Sequence, residues 1–209
     1  MSLACRKVSR SFGATKALAG ADFDLATGTV TALVGDNGSG KSTLLRVCAS
    51  LLRPDSGEVT VCGIAVSAQP ARARLCIGYL GHESMLDPVL NMRENLAFFG
   101  RLYGLIDLKP RVEAMIDRMQ ASAFADVPVA ELSRGQEQAA ALARALLHEP
   151  GVLLLDEPST GLDAAAQTRL AELLKQEARR GVCVLFSTHD ASLMGAAQAT
   201  LQLVQGRIA

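Results

Sequence analysis

The run Gly35-Asp36-Asn37-Gly38-Ser39-Gly40-Lys41-Ser42 places three glycines ahead of a lysine and a hydroxyl, the G-x-x-x-x-G-K-[ST] spacing of a phosphate-binding loop. Glycines let successive backbone N–H groups curl inward around an anion, and a helix starting at the loop's end adds the positive end of its dipole. Lys41 then reaches the β- and γ-phosphates of a nucleotide such as ATP. The Ser42 hydroxyl ligates a magnesium ion (Mg2+) bridging them, and Thr43 adds a phosphate hydrogen bond. A second pair of groups, Asp156 and Glu157, closes the apolar run Val152 to Leu155. Asp156 suits the magnesium ion and Glu157 suits polarising an attacking water; a base so placed serves hydrolysis, because no segment identifies a pocket for another acceptor.

These groups need strands that end at one edge and helices that start there. Thr29 to Val34 is β-branched and apolar, and Ser42 to Leu52 spaces Leu44, Leu45, Val47, Cys48 and Leu51 helically, which predicts strand, loop and helix. Val152 to Leu155 and Val182 to Phe186 are unbroken apolar runs of the kind that parallel sheets bury on both faces. Glu58 to Val61, Leu75 to Leu80 and Leu201 to Val204 read as shorter strands. Between about Leu86 and Val129 the period becomes helical, with Leu96, Phe99, Leu102 and Tyr103 on one face and Val112, Met115, Ile116 and Met119 on another. Helices are also predicted over Glu137 to Leu147 and over Ala164 to Arg180, the latter stopped by Gly181. The expected class is α/β, one domain over 1–209, with a core lobe formed by 1–84 and 130–209 and a helical lobe of about 85–129.

Composition narrows the partners. The 209 residues carry 21 basic and 21 acidic side chains, so no global field attracts nucleic acid, and no nucleic-acid partner is expected. Charged residues interrupt every apolar stretch before the roughly 18 residues that a spanning helix needs. Met1 to Phe12 shows no export signal. Five scattered cysteines without a C-x-x-C pair predict reduced thiols in a cytosolic setting.

Leu132-Ser133-Arg134-Gly135-Gln136 ahead of a helix has the form of a capping box, with Ser133 and Gln136 three apart. Beside the phosphate loop and Asp156-Glu157, it also resembles the signature sequence of the ABC ATPases. That resemblance implies the ABC form of the P-loop NTPase fold, with an antiparallel β part and an inserted helical subdomain. It also implies a face-to-face homodimer in which Ser133, Arg134, Gly135 and Gln136 of one copy close over the γ-phosphate held by the other. Ser159-Thr160-Gly161-Leu162-Asp163 is similar to the family's D-loop, and Ser187-Thr188-His189-Asp190 to its switch-histidine segment. His189 is thereby expected to contact the γ-phosphate and support Glu157. Phe12, 29 residues before Lys41, resembles the aromatic that stacks on adenine. His148, before Pro150, is read as structural.

Two positions depart from the family pattern. His82 stands where a glutamine touches magnesium, and imidazole matches that hard site poorly; Ala139 stands where a basic residue usually follows the signature. The phrases Gly78-Tyr79-Leu80-Gly81-His82, Arg93-Glu94-Asn95-Leu96 and Phe98-Phe99-Gly100-Arg101-Leu102-Tyr103-Gly104 resemble the cytochrome c maturation ATPases, the heme exporter ATP-binding subunits. The resemblance implies a motor working with integral membrane subunits on separate chains, peripheral to the cytoplasmic face of a bacterial inner membrane. Lacking C-x-x-C-H, the chain itself is not expected to bind heme. An exporter of another cargo remains open, as do a non-transport ABC ATPase, disfavoured by the neutral single cassette, and a P-loop phosphotransferase, which has no use for Ser133, Glu157 and His189 together.

Overall fold

The computed structural model describes residues 2–209, apart from the side chains of Ala191 and Ser192; Met1, the first residue of the expected core lobe, lies outside them. In chain order the elements are β1 (Leu3–Phe12), β2 (Thr15–Leu25), β3 (Val30–Val34), α1 (Lys41–Cys48), β4 (Ser56–Val61) and β5 (Ile64–Ala65). There follow α2 (Pro70–Leu75), β6 (Ile77–Leu80), α3 (Met92–Leu102), α4 (Leu108–Arg118), a 3-10 turn (Val129–Glu131) and α5 (Arg134–Leu146). The chain finishes with β7 (Val152–Asp156), α6 (Ala164–Arg179), β8 (Cys183–Ser187), α7 (Ala191–Met194), β9 (Ala199–Val204) and β10 (Arg207–Ile208).

Two sheets share the strands. One runs β2-β1-β4-β5, antiparallel throughout; the other runs β10-β9-β3-β8-β7-β6 and is parallel from β9 to β6. The unbroken apolar runs become β7 and β8, buried at every residue, because helices cover both faces of a parallel sheet. Two apolar clusters result. Leu80, Leu153, Leu155, Val184 and Phe186 face α3, α5 and α6, while Leu33, Leu154 and Leu185 pack with Leu44 of α1 and with the antiparallel sheet. Between β6 and β7 the chain leaves the sheet through α3 and α4, which pack on each other before α5 returns along β6.

Two expectations need correction. Leu75 is the last residue of α2, not the first of a strand, because Pro70 at the first helical turn starts a helix that carries through Ala73 to Leu75. Leu102 is 66% exposed: in α3 the buried stripe is Met92, Asn95, Leu96 and Gly100, and position 102 falls off it. Cys5, Cys48 and Cys183 are buried as small apolar side chains and Cys62 is exposed; all five are free thiols.

Candidate functional site

The carboxyl ends of four neighbouring parallel strands carry the chemistry. In sheet order β3 leads into Gly35, β8 into Thr188 and His189, β7 ends at Asp156 and Glu157, and β6 leads into Gly81 and His82. Strands about 4.8 Å apart bring groups that are distant in sequence to one edge, where open α/β sheets bind ligands.

The loop after β3 is shaped for backbone to surround an anion. Gly40 sits at φ +108, and a Cβ there would lie 2.3 Å from the Ala17 carbonyl; one on Gly35 would lie 2.2 Å from the Leu203 carbonyl. Only glycine fits both places. Gly40 is the N-cap of α1 and offers no side chain to its first amides, so they stay available to a ligand. Lys41 is buried and curls back, its Nζ donating to the carbonyls of Gly35 at 2.7 Å and Asp36 at 3.1 Å. The ammonium is thus held inside the loop, where phosphate oxygens can replace those carbonyls. Asp36, Asn37, Gly38 and Ser42 are exposed, Thr43 is half-buried and Ser39 is buried.

Ser42, Gly81, His82, Arg134, Gln138, Asp156, Glu157 and Thr160 line one cavity of about 170 Å³. Behind its wall, the buried Ser187 hydroxyl donates to Asp156 Oδ1 at 2.7 Å and accepts from the Glu157 amide at 2.9 Å. That one hydroxyl fixes both acids. Glu157 occupies the left-handed region at φ +51, a conformation a non-glycine residue adopts at a cost, and the amide bond to Ser187 helps hold it there. His189 Nε2 stands 3.2 Å from Glu157 Oε1. A hydroxyl and a buried carboxylate lining one cavity are the oxygen donors that a magnesium ion prefers, so Ser42 and Asp156 fit it, whereas His82 lines the wall without offering oxygen. The arrangement can hold a phosphate chain, a divalent cation and a water beside a carboxylate.

The remaining expected groups lie elsewhere. Ser133 and Gln136 form a reciprocal cap on α5: the Gln136 amide donates to Ser133 Oγ at 3.4 Å, and the Ser133 amide to Gln136 Oε1 at 2.9 Å. Asp163 caps α6 by accepting from the Ala166 amide at 2.7 Å. Within one chain, Ser133, Gly135, Gln136 and Asp163 are not in the wall of the cavity. Arg134 joins the two segments, its Nε donating to the Thr160 carbonyl at 3.4 Å. Phe12, half-exposed, ends β1 opposite Thr15.

Sequence reasoning gave three residues no structural role of their own. Ser187 bridges the acids, and the parallel register Asp156 to Ser187 is the signal that finds it. Gln138 donates to the Pro158 carbonyl at 2.8 Å, tying α5 to the turn after Glu157. Arg144, 3% exposed, donates to the Tyr79 carbonyl at 2.6 Å and lies 5.3 Å from the Phe99 ring, joining α5, β6 and α3 just ahead of His82. Burial pushes its pKa down.

Residues 18–160 match the family model described as ABC transporter. Over 177 residues the chain is 40% identical to the ABC transporter ATP-binding protein NatA of Bacillus subtilis (strain 168), covering 83% of this chain and 72% of that protein. It is 37% identical to the Nod factor export ATP-binding protein I of Paraburkholderia xenovorans (strain LB400), covering 88% of this chain and about three fifths, 61%, of that one. The fold matches the dimeric, post-hydrolysis structure of the ATP-binding cassette MJ0796 bound to ADP and Pi, with a TM-score of 0.90 and 26% identity over 99% of this chain and 96% of that one.

Proposed function

The chain belongs to the ABC transporter ATP-binding family, and from that premise we propose that it is the motor subunit of an ABC exporter, two copies closing over two ATP molecules. The observation that carries this reading is the convergence of the glycine cradle, Ser42, Asp156 and Glu157 at one sheet edge, with His189 3.2 Å from Glu157. The loop from Gly35 to Thr43 binds the phosphates, and Ser42 with Asp156 holds magnesium, which when bound neutralises phosphate charge. Glu157 accepts hydrogen bonding from the attacking water, and His189 orients Glu157 and meets the γ-phosphate. Ser133, Arg134, Gly135 and Gln136 serve the partner copy's nucleotide, Arg134 reaching the wall of the chain's own cavity and the other three lying outside it, with Asp163 at the seam. The MJ0796 cassette, dimeric and bound to ADP and Pi, supports the pairing.

Among the described residues no helix is long and apolar enough to cross a membrane. The work is done through integral membrane subunits on other chains, with this chain peripheral to the cytoplasmic face of a bacterial inner membrane. Met85, Val89, Phe98 and Leu102 are exposed between His82 and the end of α3, and a helix of the membrane subunit docks there. The finer reading is a cytochrome c maturation complex handling heme or a heme-related cargo, resting on His82 and the Phe98 to Gly104 phrase; this chain itself leaves heme to its partners. The names of the NatA and Nod factor export relatives favour a second reading, export of another cargo.

Affinity capture of the tagged chain from detergent-solubilised host membranes separates these readings. Recovery of cytochrome c maturation membrane subunits supports the finer one, an unrelated permease leaves the motor with another cargo, and recovery of ribosomes or DNA-bound proteins overturns transport.

A further inference from the structure

Phe12 does not stand alone at the end of β1. Arg10, two residues back on the same face of the strand, places its guanidinium carbon 5.0 Å from the centre of the Phe12 ring. The guanidinium is anchored in turn: Arg10 Nη1 donates to Asp55 Oδ1 at 2.7 Å, and Asp55 Oδ2 accepts from the Ser11 amide at 2.7 Å. The Asp55 amide closes the clamp by donating to the Ser9 carbonyl at 2.9 Å. One residue, Asp55, therefore grips the strand on both sides of Arg10, by its carboxylate at Ser11 and by its amide at Ser9, while Phe12 keeps 49% of its surface open.

This ring stands beside the phosphate loop. Phe12 pairs with Thr15 across the hairpin. Two residues on, the Ala17 carbonyl occupies the space beside Gly40 where a side chain would sit. Two strand residues span about 7 Å, which sets a flat apolar face about one nucleoside away from the phosphate cradle.

We propose that Arg10 is a positioning residue for the nucleotide base: it covers one side of Phe12, fixes the ring before the base arrives, and leaves the other side for adenine. A cation on one side of an aromatic ring draws its π electrons, so the open side becomes a better partner for an electron-rich purine. The inference rests on the reading of Phe12 as the adenine platform.

The test compares ATP hydrolysis by the wild-type chain, Arg10→Ala, Arg10→Lys and Phe12→Ala, with calorimetric binding of inorganic tripolyphosphate, which has no base. Arg10→Ala is expected to raise KM for ATP about three- to fivefold, the size of an exposed cation–π contact. Its kcat stays within twofold and its tripolyphosphate Kd is unchanged; Arg10→Lys, which keeps the cation, recovers most of the loss. If Arg10→Ala weakens tripolyphosphate as much as ATP, Arg10 merely props the loop and the proposal is overturned. If Phe12→Ala raises KM while Arg10→Ala does not, the proposal fails and the platform stands. If Phe12→Ala leaves KM unchanged, the platform itself is wrong and the proposal falls with it.

Discussion

Acidification should loosen the joint between α3 and the start of β6 through one side chain. His148 stacks on Tyr103 with ring centres 3.8 Å apart, and its Nε2 lies 3.0 Å from the Ile77 carbonyl, so the neutral ring donates from Nε2. Its Nδ1 is buried without a partner among the described residues. Protonation would add a donor there with nothing to accept it. Burial is the main cause that pushes the His148 pKa down, to about 4; nearby Arg144 adds to the effect, and the Ile77 carbonyl opposes it. In the unfolded chain a histidine titrates near 6.5. Between these values the unfolded state binds a proton that the folded state refuses, so stability is intact above about pH 6.5 and falls as pH drops toward 4. The full difference is about 3 kcal/mol, of which about 2–3 kcal/mol is lost by pH 4.5. His148→Gln keeps a donor for Ile77 and cannot titrate. Urea unfolding at pH 7.5 and 4.5 should show the wild-type chain losing about 2–3 kcal/mol more than this variant, with the carboxylates common to both cancelling. Equal losses in the two proteins would refute the reasoning.

Three further outcomes concern the site. Gly40→Ala puts a Cβ 2.3 Å from the Ala17 carbonyl at φ +108, so calorimetry should show ATP affinity reduced at least tenfold. Gly38→Ala, at φ +79 but meeting nothing within 4 Å, should cost roughly 1 kcal/mol of stability in melting experiments and leave more of the affinity. His189→Ala removes the group 3.2 Å from Glu157 without touching the phosphate loop, so steady-state hydrolysis should show kcat down on the order of 10²-fold with ATP binding largely kept.

Local patterns made half of this molecule readable from its residues. The β3, loop and α1 unit declared itself through an apolar run, a glycine spacing and helical periodicity, all within some twenty positions, and β7 and β8 through unbroken apolar runs. Register shifts and a positive φ at Lys7 break the alternation of β1, which hides it from a period-two search. Ser187 was legible as part of a motif but not as a bridge, because its role arises from pairing with Asp156 across the sheet. Arg144 looks like an ordinary helix residue, and only the tertiary packing of α5 against β6 and α3 buries it. The cap formed by Ser133 and Gln136 agrees with the sequence, yet one chain cannot display the partner site that the same residues are proposed to serve.

The most direct measurement is the solution mass of the Glu157→Gln variant with and without ATP and magnesium, alongside its turnover. The variant is expected to be a monomer that becomes a dimer on adding ATP, with hydrolysis reduced by at least 10²-fold, because the phosphate and metal ligands remain while the water-polarising carboxylate is gone. A variant that stays monomeric at saturating ATP, or that hydrolyses at the wild-type rate, would contradict it.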